Sequence, residues 1–218
     1  MTEPQTQTRA EQKQQTREAI MAAAIKKMND DRGFSSLSLR EVAKEAGIAP
    51  TSFYRHFENM EELALVLVNE AGEALLKIMQ DTREAEEKGE NIADGTVAVC
   101  MEHFRANGPL FRVLAREATG NSPIIRRAIQ KVLNELTQQL SVIIEMEMKR
   151  RQRNLTNATW IAEAIITILF YIGVSTIDLP ISKQIEAEKR LVHHIRAIYW
   201  GAEAMANTQH LERQIMLG

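Results

Sequence analysis

Cysteine is almost missing from this 218-residue chain: Cys100 stands alone. A single cysteine excludes an intrachain disulfide and fits a reducing compartment such as the cytoplasm. The opening stretch, MTEPQTQTR, has no apolar run of the signal-peptide kind. The most apolar run, Ala164 to Ile177, falls short of the about 20 residues that span a bilayer and carries Thr167, Ser175 and Thr176. No membrane partner is expected. There is no internal repeat, no low-complexity tract and no Gly-rich phosphate loop. Cys100, Glu102 and His103 lie close in sequence but match neither a zinc spacing nor a nucleophile motif, and the adjacent His193 and His194 point to different faces of any helix. The chain therefore reads as no enzyme, and neither metal nor cofactor is expected.

Charge of one sign is also lacking, since the net is −2. A nucleic-acid binder with this balance must gather its basic residues locally. Through Phe57 nine basic residues face seven acidic ones, while the rest of the chain is net negative by four. The asymmetry is small but has the sign that DNA binding requires.

What the chain does have is the stretch SLREVAKEAGIAPTSFYRHF, Ser38 to Phe57. Ser38 followed by Glu41 forms a capping box. Leu39, Val42, Ala43 and Ala46 recur at helical spacing, so one face is apolar. Gly47 supplies a helix stop and Pro50 opens a second, short helix over about 51–57. Phe53 and Phe57 anchor that helix inward, which leaves Thr51, Ser52, Tyr54 and Arg55 outside. Two short helices joined by a Gly-bearing turn make a helix-turn-helix, whose second helix enters the major groove of DNA. Arg55 suits a phosphate or a guanine edge, and the hydroxyls of Thr51, Ser52 and Tyr54 suit phosphates or bases. The same pattern also fits an ordinary corner of a helical bundle.

The residues Tyr54-Arg55-His56-Phe57 favour the DNA-binding reading. The stretch resembles the DNA-binding head of the TetR family of bacterial transcriptional regulators, in which a three-helix head ends in a Tyr-x-His-Phe signature and a long fourth helix follows. Its wording is closest to the FabR/DesT type, the repressors of unsaturated fatty-acid genes. The match is strong over about 16–67. The resemblance implies DNA contacts from Ser38, Arg40, Thr51, Ser52, Tyr54, Arg55 and His56. Many members carry a phosphate-binding lysine three residues after the signature; here Met60 stands in that place, so that contact is not implied.

Along the chain, Thr8 and Glu11 open a first helix to about Met28, with Ile20, Ala23, Ala24 and Met28 inward. Arg9, Lys13 and Arg17 near its start are either a DNA-reaching arm or solvated charge. Asn59 and Glu62 form a second capping box before a long fourth helix, apolar nearly all round at first and closed at Gly89. All later spacing is helical: about 94–107, then from Pro109 to Ala118, then a long helix capped by Ser122, a very apolar one over 157–177, and a last one capped by Ser182. The fold class is all-α, a helix-turn-helix head over residues 1–58 and a larger helical body over 59–218 for ligand binding and dimerisation.

The body holds an excess of apolar side chains, which are either plain core or the wall of a pocket for a long-chain ligand. The pocket reading gathers Phe104, Phe111, Trp160, Leu169 and Phe170, with Arg112 and Arg116 facing the ligand's phosphates. The FabR/DesT resemblance implies a fatty acyl thioester, acyl-CoA or acyl-ACP (the thioester of acyl carrier protein). The two apolar late helices leave more apolar surface than a monomer tolerates, so a homodimer is expected, reading a palindromic double-stranded operator. A sensor of another hydrophobic molecule, such as a drug, and a bundle or enzyme with no DNA role are the alternatives.

Overall fold

The computed structural model describes residues 8–29, 33–87, 92–153 and 157–217. Residues 30–32, which follow the first helix, and the expected stop at Gly89 lie outside them. Among the described residues there are nine α-helices and no strand: α1 Arg9–Asn29, α2 Leu39–Glu45, α3 Pro50–Phe53, α4 Met60–Glu87, α5 Ile92–Ala106, α6 Gly108–Glu117, α7 Pro123–Arg150, α8 Ala158–Thr176 and α9 Ile181–Leu217. A short 3-10 turn, Phe34–Ser36, precedes α2. The chain forms two compact units. One is Met1–Ala71 with Pro109–Ile129; the other is Gly72–Gly108 with Gln130–Gly218. Helices α4 and α7 each run from one unit into the other, and α6 falls in the unit that holds the head.

The first unit is built on local signals that carry through. Thr8 and Glu11 close a capping box on α1, Thr8 N–H to Glu11 Oε2 at 2.8 Å and Glu11 N–H to Thr8 Oγ1 at 3.2 Å. Ile20, Ala23, Ala24 and Met28 are buried, as their spacing requires. The box at Ser38 and Glu41 is complete in both directions. Gly47 stands at φ +70°, a left-handed conformation that costs a side-chain-bearing residue energy. It lets Ile48 N–H donate back to Ala43 C=O at 3.0 Å, which closes the end of α2.

Two caps differ from expectation. Asn59 Oδ1 accepts from Glu62 N–H at 2.9 Å, but the Glu62 carboxylate returns to the amide of Glu58 instead of that of Asn59. The box is therefore open by one residue. At α9 the helix starts at Ile181, and the amides of Lys183 and Gln184 donate to Pro180 C=O. Pro180 fixes φ and starts the turn by itself, so Ser182 lies inside the helix and is not the cap.

The second unit packs α5, α8 and α9 together with the later parts of α4 and α7. Ile144, Ile161, Ile165, Leu169, Leu191 and Ile195 are buried there. Gly173 of α8 lets the Phe104 ring approach: a β-carbon at that position would sit 2.6 Å from the ring. Gln184 Nε2 donates to Leu179 C=O (2.9 Å) and Ile177 C=O (3.3 Å), which ties the α8–α9 connection. Arg105 and Glu188 pair at 2.7 Å between α5 and α9. Helix α8 begins earlier than the apolar run in the sequence and reaches 19 residues, long and apolar enough to cross a membrane by length and composition alone. Ile161, Ala162, Ile165, Leu169, Gly173 and Thr176 bury one of its faces inside this unit.

Candidate nucleic-acid interface and ligand cavity

The second helix of the helix-turn-helix is shorter than its spacing suggested. It covers Pro50–Phe53, and Tyr54 to His56 continue as turns. Arg55 N–H and His56 N–H donate to the carbonyls three residues back, at 3.1 and 2.9 Å. Such bonds wind the backbone more tightly than an α-helix and usually end within a few residues. A four-residue helix sums few peptide dipoles, so recognition rests on side chains.

Those side chains sit on a small aromatic floor. Phe53 and Phe57 are fully buried with ring centroids 5.6 Å apart. Each contributes about 1.5–3 kcal/mol by leaving water. Above them Thr51 and Arg55 are exposed, Tyr54 is 63% exposed, and Ser52 and His56 are half-buried. On α2, Arg40 is exposed. Ser38 is exposed too, but its Oγ is engaged with Glu41, at 2.8 Å to Oε2. The seven residues expected at the DNA thus all lie on α2, its cap or the α3 segment.

Arg17 takes a different place from the arm that its position suggested. Its Nη1 donates to His56 C=O at 2.6 Å, and its guanidinium lies over the Phe57 ring, 4.2 Å from the centroid. It therefore fastens the end of the α3 segment to α1. Only the fold brings residues 17 and 56 together, so no sequence signal announced this. Burial, and then the charges of Lys13, Arg17 and Arg55, push the His56 imidazole below its ordinary pKa. Its Nδ1 is buried with no protein partner. At the other end of α2, Glu45 bridges Lys26 (2.5 Å) and Lys27 (2.9 Å), and their hydrogen bonds hold its carboxyl down to about 2.

The second unit encloses an apolar cavity. Its wall is Leu75, Ile78 and Met79 of α4, Cys100 and Phe104 of α5, Leu136, Leu140, Ile144 and Glu147 of α7, Ile165, Leu169 and Phe170 of α8, and Ile195 and Tyr199 of α9, among others. The space open to the centre of a water molecule is about 60 Å³, several times what one water needs. Glu147 is the one ionisable carboxylate on this wall. Arg150 holds it at 2.7 and 2.6 Å, Arg151 adds a further bond, and together they keep its pKa low. Burial pushes the Cys100 thiol up to about 12, so it is not a thiolate near neutral pH.

Of the residues expected around a ligand, Phe104, Leu169 and Phe170 line this cavity. Phe111, Arg112 and Arg116 do not; they belong to α6 in the first unit, where Phe111 is core. Arg116 donates to Met28 C=O at 2.5 Å. Trp160 is 68% exposed on α8. Spacing marked these residues as apolar or basic but carried no sign of which unit they would join.

A helix-turn-helix head presenting hydroxyls and arginine, with a helical unit enclosing an apolar cavity, defines a ligand-responsive class of DNA-binding protein. Comparison with known proteins places the chain within it. Residues 20–67 match the sequence model of the bacterial regulatory proteins of the tetR family. Residues 89–198 match that of the tetracyclin repressor-like C-terminal domain. The chain belongs to the TetR family of transcriptional regulators. Solved structures share its fold. A chain assigned as a TetR-family regulator from Syntrophomonas wolfei is 18% identical with a TM-score of 0.70, covering 85% of this chain and 95% of that one. The fatty acid degradation regulator FadR from Bacillus halodurans is 18% identical with a TM-score of 0.63, covering 85% and 93%. FadR from Bacillus subtilis, solved in complex with stearoyl-CoA, is 14% identical with a TM-score of 0.64, covering 82% and 96%.

Proposed function

We propose that this TetR-family regulator is a repressor of fatty-acid genes, those for unsaturated fatty acids in particular, and that it responds to a long-chain acyl thioester, acyl-CoA or acyl-ACP. The cavity carries the reading. Its wall is almost wholly aliphatic and aromatic, drawn from five helices, which suits an acyl tail better than a compact polar effector. The stearoyl-CoA bound by the FadR of similar fold supports the same ligand class. Thr51, Ser52, Tyr54, Arg55 and His56, with Arg40 on α2, are the groups that meet operator DNA, and Ser38 holds α2 in place for them.

The active species in this reading is a homodimer in the cytoplasm on a palindromic operator. Tyr171 is 74% and Trp200 67% exposed, and with Trp160 and Met205 they leave α8 and α9 an uncovered apolar face. A second copy would cover it as a four-helix bundle and set two heads on half-sites about 34–36 Å apart, or a multiple. Ligand acts only through different affinity for the DNA-competent and incompetent states. One observation favours a second reading: an anionic Glu147 on the cavity wall would suit a cationic amphiphile such as a drug. Its two arginine partners weaken that attraction.

The test is selection of genomic fragments by the purified chain, with and without stearoyl- and oleoyl-CoA. Enrichment of sites near fatty-acid genes and a change of affinity with acyl-CoA are expected. A response to cationic amphiphiles alone would replace the acyl reading with the second one.

A further inference from the structure

Glu117 is the one buried charged side chain among the described residues, 4% exposed at the end of α6. A carboxylate is not left in such a place without partners that compensate its lost water. Its Oε1 accepts the main-chain N–H of Phe34 at 2.7 Å, a buried bond across 83 residues of sequence. Gly120 makes room for the other oxygen, since a β-carbon there would lie 2.6 Å from Oε2. The preceding residue, Arg116, donates from Nη1 to the carbonyl of Met28 in the last turn of α1. Adjacent side chains of α6 thus hold main-chain groups in the last turn of α1 and at the start of the 3-10 turn. From that turn the chain goes through the buried Leu37 directly into Ser38 and α2. Helix α6 lies within the residues that match the C-terminal domain, yet it packs in the same compact unit as the head.

We propose that Arg116 and Glu117 form a clasp that positions the end of α1 and the 3-10 turn leading into α2 for operator binding, which makes α6 a determinant of operator affinity without touching DNA. Both are positioning residues, and the proposal rests on the operator-binding reading above. These two bonds go to main-chain groups, the N–H of Phe34 and the carbonyl of Met28. Loss of the carboxylate strands a buried amide donor, and the 3-10 turn must shift to let water reach it.

The experiment uses the full chain and a duplex enriched from a random-sequence pool by the wild-type protein. Affinity is read by fluorescence anisotropy, exchange of the Phe34 amide by hydrogen–deuterium exchange, and folding by circular dichroism. Glu117→Ala is expected to weaken binding roughly tenfold and to speed exchange at Phe34, as one stranded buried amide implies. Glu117→Gln retains an acceptor oxygen and should restore affinity to within about threefold of wild type. Arg116→Ala should weaken binding less than Glu117→Ala, because a carbonyl short of a partner is a smaller loss than an orphaned buried N–H. Should Glu117→Ala fail to fold, the Gln and Arg116 variants decide. Wild-type affinity in Arg116→Ala, wild-type affinity with unchanged Phe34 exchange in a folded Glu117→Ala, or no rescue by Gln overturns the clasp. Failure of the wild-type chain to enrich any duplex is a different outcome: it overturns the operator reading, and the positioning role goes with it.

Discussion

In the unit that holds the head, Phe53 and Phe57 are fully buried beneath a polar surface, whereas in the other unit Trp160, Tyr171 and Trp200 stand in solvent around a hollow interior. In the reading proposed above, the difference follows from what each must meet. DNA is polar and charged, so a reading surface needs hydroxyls and guanidinium groups on a rigid floor. A hydrophobic effector needs an apolar wall with space left inside, and a second copy needs an apolar outside. The α3 segment of the first unit rests on aromatic contacts, and the cavity of the second is walled mainly by aliphatic ones.

The sharpest way to break this contrast is Phe53→Ala. It removes the floor of the α3 segment and should cost about 3–5 kcal/mol of stability, with operator binding lost. Chemical denaturation followed by far-UV circular dichroism measures it; a loss below about 1 kcal/mol would mean the aromatic floor is not what holds the head. Gly173→Ala probes the other unit. Its new methyl collides with the Phe104 ring, so about 1–3 kcal/mol of overpacking is expected together with weakened acyl-CoA binding. Calorimetric titration reads the binding, and unchanged affinity would show that the cavity does not hold the ligand.

Arg55→Ala should lower operator affinity by about 1–3 kcal/mol if the side chain reads a base, with discrimination relaxed at one position. If it contacts phosphate, the slope of log affinity against log salt should fall by about 1 with discrimination intact. The smallest effect is that of pH. His56 is depressed in the folded state, so at pH values between its folded pKa and the ordinary 6.5 the unfolded chain binds more protons. Stability of the head should then rise with pH through that window and level off above it. Glu45 acts at lower pH: its folded value of about 2 against 4.5 makes its contribution full above 4.5 and lost as pH falls toward 2. A His56→Gln variant that kept the upper slope in a pH series of melting curves would remove His56 as its source.

The helix-turn-helix was readable residue by residue because its signals are local. A capping box spans three residues, Gly47 closes a helix within two, and Phe53 with Phe57 is an i, i+4 pair. The cavity was legible only in part. Its members Phe104, Leu169 and Phe170 lie on α5 and α8, and periodicity reports that a residue is inward, not what it faces. Phe111 and Trp160 look equally suitable in sequence; one is core of the other unit and one is exposed. Arg17 reads as a DNA-reaching arm or solvated charge and Arg116 as a ligand contact, yet each donates to a carbonyl 39 or 88 residues away.

The order of amino acids alone determined nine helical segments, the boundaries of most of them, the outward set on the α3 segment and membership of a regulator family. All of these depend on interactions within a few residues or on a short motif. Tertiary structure alone decided that α6 joins the head, that five helices leave a hollow between them and that a buried glutamate grips the amide of Phe34. Those outcomes depend on contacts between residues distant in the chain, whose partners are chosen only when helices pack and water is excluded.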